Sequence, residues 1–163
     1  MTKTERREYM TEINSAAYDI LGSENMQLSK GFIQHGSVSV YEHSVSVTVM
    51  CLRLADLFHI NADRRAMIRG ALLHDYFLYD WHEGGLRCPP HGFTHAETAM
   101  RNACRDFAVG RKERDMIYCH MFPLNITRVP GCRESAILCV ADKLVSTEET
   151  VNGFAEKLAK SAK

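Results

Sequence analysis

Apolar residues recur along this chain at intervals of three and four, the spacing of one face of an α-helix. Tyr9, Ile13, Ala16, Ala17 and Ile20 form a first such stripe, which predicts a helix starting after Thr4 and stopping at Gly22. A short helix is expected over 24–30, and GFIQHGS reads as a turn region. A long helix is expected over about 38–58. Its SVSV stretches are β-branched, but Val40, His43, Val47, Met50 and Leu54 keep the helical interval and place His43 on the buried face. Asn61 or Asp63 can cap the next helix, which carries Ala66, Met67, Gly70, Ala71, Leu73 and His74 and is expected to reach about Tyr79. The segment DWHEGGLRCPPHGF, residues 80–93, reads as a long loop, and Thr94 with Glu97 forms a capping box that starts a helix to about Phe107. Helices over 111–121 and 132–147 flank a second loop between Pro123 and Pro130, and a polar C-terminal helix closes the chain. The pattern predicts an all-α fold of six or seven helices in a single domain spanning 1–163, a length that suits one core.

Composition narrows the classes of function. Lys+Arg and Asp+Glu are both 20, so the formal net charge is zero and no global basic excess marks a dedicated nucleic-acid binder. The opening MTKTERREYMTEIN has no apolar core of a signal peptide, and no apolar run approaches the roughly 18–20 residues a membrane span needs. No membrane partner is expected, and the location is expected to be cytoplasmic. The six cysteines form no CxxC pair, and Cys51, Cys104 and Cys139 fall among apolar helix positions, where a free thiol packs as a small core residue. The first and last helices could pack on a second copy of the chain, as in a homodimer, or on their own domain.

Candidate chemistry lies in the histidines and two aspartates. Singly, each histidine has an ordinary reading: His43 as a hydrogen-bonded core residue, His95 as a surface residue in a first turn, His120 as a complement to a helix C-terminus. Asp75 follows the apolar GALLH, and Asp142 lies inside AILCVADKLV. A buried carboxylate costs several kcal/mol unless it is ion-paired or binds a cation. Helices bearing His43, His74-Asp75, His95, His120 and Asp142 can present four imidazoles and two carboxylates to a shared centre. Such an N/O-rich set suits iron, manganese, cobalt or nickel better than thiolate-bound zinc.

The order His43 … His74-Asp75 … Asp142 resembles the HD superfamily, whose motif is H…HD…D on an all-α bundle, over roughly residues 36–148. His95 in HAETA and His120 in HMFPL resemble the H…HD…H…H…D subset, which holds two metals bridged by the HD aspartate. Carried over, His43, His74, Asp75 and Asp142 would hold one metal, and Asp75, His95 and His120 the second. HGFTHAETA, HMFPL and ADK are similar to small uncharacterised bacterial HD-domain proteins. The resemblance implies hydrolysis of a phosphate ester, a nucleotide or related small phosphorylated metabolite, by a two-metal-activated hydroxide. The cofactor would be two divalent transition-metal ions, iron before manganese, cobalt or nickel. Developing phosphoryl charge needs positive partners, for which Lys143 beside Asp142, and Arg87, His91 and Arg128 in the two loops, are candidates, each with surface charge as its alternative. His91 is expected to contact substrate, with general acid and extra ligand as alternatives; His35 could border the site or hold a turn. Two rivals use the same residues: a mixed-valence di-iron oxygenase acting on a small molecule, and a non-catalytic metal-binding regulatory module.

Overall fold

Capping residues and apolar faces account for most of the helices. The computed structural model describes residues 1–80 and 91–161, and among them seven α-helices and one small hairpin. Helix α1 spans Lys3–Leu21, with Thr2 and Glu5 forming its capping box, and ends at Gly22. Helix α2 spans Glu24–Leu28, and a 3-10 turn over Ser29–Gly31 leads into strand β1, Ile33–His35. Antiparallel β2, Val38–Ser39, pairs with β1. The expected turn region is therefore a hairpin. Gly36 at φ 60° supplies the left-handed position that a two-residue connection demands.

Helix α3 spans Val40–Leu57, capped by Ser39 with Glu42. Helix α4 spans Arg64–Leu73, capped by Asp63, whose side chain accepts from the Ala66 amide. It ends at Leu73, six residues short of the expected Tyr79. Tight turns replace it: the Tyr76 amide donates to the Leu73 carbonyl and the Phe77 amide to the Asp75 carbonyl. Leu78 then takes a positive φ of 61°, which no helix continues through.

Helix α5, His91–Asp106, begins one turn before the expected Thr94, so the TxxE sequence lies inside a helix and not at its start. Helix α6 spans Arg111–Cys119. Helix α7 runs unbroken over Arg133–Ser161, where two helices were expected. Gly153 lies within this helix and meets the hairpin: a Cβ there would lie 3.2 Å from the Gly36 Cα.

Helix α3 packs between α4 and α7, and α6 packs on α4, α5 and α7. The core joins Ile13, Ala17 and Ile20 to Val47, Leu52, Met67, Leu72, Met116, Ile117, Leu138 and Ala141, all buried. Cys51 and Cys139 are buried with them, but Cys104 is exposed on α5, contrary to its expected place in the core. No helix among the described residues is long and apolar enough to cross a membrane.

Candidate metal centre

The centre forms where four helix ends and helix faces meet. His43 comes from the first turn of α3, and His74 caps the C-terminus of α4 with Asp75 next to it. His95 comes from the start of α5, His120 caps the C-terminus of α6, and Asp142 lies on α7. All six side chains are buried. The early stop of α4 matters here, because the turn after Leu73 carries Asp75 off the helix and inward.

Asp75 sits in the middle. Its Oδ2 lies 3.4 Å from His74 Nε2 and 3.8 Å from His43 Nε2. Its Oδ1 lies 3.3 Å from His95 Nε2 and 3.5 Å from His120 Nε2. Asp142 Oδ1 faces the first pair, 3.3 Å from His43 Nε2 and 3.7 Å from His74 Nε2. The ordinary alternative for Asp75, an ion pair with lysine or arginine, does not occur among the described residues; histidines surround it.

The backbone fixes the imidazole tautomers. His74 Nδ1 donates to the Ala71 carbonyl at 2.7 Å and His120 Nδ1 to the Ile117 carbonyl at 2.8 Å. His43 Nδ1 lies 2.8 Å from Glu149 Oε2. In each ring the outer nitrogen is thus committed to an oxygen and the Nε2 lone pair points at the centre, the arrangement by which metal-ligating histidines are oriented. His95 Nε2 and His120 Nε2 face each other at 2.8 Å. Three inward atoms, His43 Nε2, His74 Nε2 and Asp75 Oδ1, are buried with no hydrogen-bond partner. Buried polar atoms rarely stay so. Converging lone pairs beside two carboxylates are satisfied by a cation, and the residues present fit one. Two overlapping groups, His43–His74–Asp75 and Asp75–His95–His120, each bring ligand atoms within 4.8 Å of one another.

The electrostatics show how the cation-free protein balances this charge. Burial opposes ionisation of Asp75, but His74 and then His95 hold its carboxyl well below the usual carboxylate range. Burial opposes that of Asp142 as well, and His43 and His74 hold it down. Burial likewise disfavours a charged His43, yet Asp142 and Glu149 lift it to about 9. His74 lies well above its ordinary value against the same burial, through Asp75 and Asp142. His120 is pushed down to about 3 by burial and by His95. The carboxylates thus favour positive charge at His43 and His74, the charge that a cation bound at their Nε2 atoms would supply.

The other sequence candidates lie around the centre or elsewhere. Lys143 is at its edge, with Nζ donating to the His120 carbonyl at 3.0 Å and 3.8 Å from Asp142 Oδ2. Arg128 stacks on the Tyr118 ring at 4.0 Å and meets Glu97 at 3.4 Å, partners that are not among the six. An open cleft of about 700 Å³ beside those residues contains none of the six. His91 opens α5 one turn before His95, and its side chain lies outside the described set, as does Arg87 entirely. Sequence reasoning passed over two residues. Glu149 could have been found: it is seven residues after Asp142, two turns along the same face of α7. Gln34, whose Nε2 donates to Asp75 Oδ2 at 2.6 Å, lies in the unrecognised hairpin. His35 stacks edge-on against His43 at 5.5 Å, so it borders the centre.

The chain is an all-α protein with a buried His/Asp cluster, built from successive helices, that could hold a metal ion. The family model of the HD domain matches residues 40–147, and the chain belongs to that family. No curated protein and no solved structure matches it.

Proposed function

We propose that this protein is a metal-dependent hydrolase of phosphate esters, acting on a nucleotide or a related small phosphorylated metabolite. The carrying observation is the division of Asp75, whose two carboxylate oxygens each face a different pair of imidazoles. That division supports two divalent cations, one held by His43, His74, Asp75 and Asp142, the other by Asp75, His95 and His120. Iron is the first candidate and manganese the second, on the N/O donor set. Bound there, divalent cations would lower the pKa of a water and polarise a phosphoryl oxygen.

The chain's own groups would do the rest. Asp75 and Asp142 are acceptors in their ionised form and bring negative charge that neutralises the cations. The carbonyls of Ala71 and Ile117 hold His74 and His120 in the tautomer that presents Nε2. Lys143 is half exposed at the edge and would turn its ammonium to the phosphoryl group, stabilising charge as it develops. His91 would meet the substrate from the first turn of α5, with Arg87 and Arg128 as further cationic contacts. Arg128 would have to leave Tyr118 to do so.

The test is a panel of nucleotides and phosphate esters offered to protein loaded with iron or manganese. Metal-dependent release of phosphate or of a phosphate monoester is expected, with loss of at least about 10³-fold in His74→Ala and in Asp75→Ala. Loaded protein that turns over none of the panel would refute the reading.

A further inference from the structure

The hairpin before α3 and the last turns of α7 both lie outside residues 40–147, the span of the family match. They meet each other across Gly36 and Gly153, where a Cβ on either would come within 3.3 Å of the other's Cα. Small residues permit this approach, and the contact brings β1 over the centre. From β1, Gln34 reaches in. It is 8% exposed, and its Nε2 donates to Asp75 Oδ2 at 2.6 Å. An ionised carboxylate only accepts, so the amide must present its nitrogen, which leaves Gln34 Oε1 as the orphan, buried and without a partner.

This hydrogen bond falls on one particular oxygen. Oδ2 faces His43 and His74, and Oδ1 faces His95 and His120. Rotation of the carboxylate about its bond to Cβ would take both oxygens out of these two directions. A donor fixed on Oδ2 opposes that rotation, and Gln34 is fixed because the hairpin is hydrogen-bonded at both ends: β1 pairs with β2, and the Val40 amide donates to the Phe32 carbonyl at 2.8 Å.

We propose that Gln34 is a positioning residue that locks the Asp75 carboxylate so that one oxygen serves each half of a two-cation centre. The proposal rests on the two-cation reading above. Without Gln34 the first cation keeps His43, His74 and Asp142. The second, left with two imidazoles and a free-turning carboxylate, loses most of its hold.

Manganese(II) titrated into the metal-free full-length protein tests this by calorimetry, with electron paramagnetic resonance reporting spin coupling between two ions. The wild type is expected to bind two equivalents. Gln34→Leu is expected to bind the first as the wild type does and the second roughly 10–100-fold more weakly, the usual cost of losing a group that orients a ligand. Gln34→Asn keeps a buried amide but shortens its reach by one methylene, and is expected to show the same selective loss should the leucine variant not fold. Two equivalents bound at wild-type strength in the folded variants, or both weakened equally, would overturn the role of Gln34 and leave the two-cation reading standing. A wild type that binds a single equivalent would overturn both.

Discussion

Burial disfavours a proton on His43 and on His74, and the carboxylates facing them (Asp142 and Glu149 for His43, Asp75 and Asp142 for His74) outweigh it and favour the protonated rings in the absence of metal. A cation that takes their Nε2 lone pairs must displace those protons. Metal uptake is therefore expected to release protons at pH 7, and affinity to rise with pH from neutral through about 9, where His43 loses its proton. The sign for folding runs the other way. A raised histidine pKa gives the metal-free protein stability that is complete below the ordinary value of 6.5 and fades as pH rises through about 9. Calorimetric titration in buffers of differing ionisation enthalpy counts the protons; uptake with none released would contradict this assignment. The six central residues could be named from the chain because the two aspartates stand out in apolar helices and the order of the histidines around them resembles the H…HD…H…H…D pattern; singly, each histidine has an ordinary reading. Glu149 was legible only as a residue two turns after Asp142 on one helix face, and Gln34 not at all, since a glutamine in a short strand carries no mark until the fold places it.

At the scale of elements, the centre depends on how closely α4 and α6 approach. Their ends deliver His74 and His120, whose rings lie 4.9 Å apart. Gly70 makes the approach possible: a Cβ there would fall 2.6 Å from Met116 Sδ and 3.1 Å from Met116 Cβ, and Met116 is fully buried. Gly70→Ala gains about 1 kcal/mol in helix propensity but overpacks the contact at a cost of about 1–3 kcal/mol. The variant is expected to unfold at lower denaturant and to bind metal less tightly, as urea titration and metal competition would show; unchanged stability would mean that Met116 moves aside freely. Helical periodicity made the long elements legible, because burial repeats every three to four residues. It failed where local geometry decides. Nothing in the apolar pattern marks the turn after Leu73, and the hairpin is too short to show alternation.

For the whole molecule, the bundle acts as a frame that brings distant segments to one point. The hairpin and the end of α7 close over it from outside the family-matched span. At that point the buried His/Asp cluster forms the proposed two-cation centre. It is tested most directly by X-ray diffraction from crystals of the manganese- or iron-loaded protein, measured on both sides of the metal's absorption edge. Two anomalous peaks are expected, one among His43, His74, Asp142 and Asp75 Oδ2, the other among Asp75 Oδ1, His95 and His120. A map with no peak at the cluster, in crystals soaked with excess metal, would contradict the account.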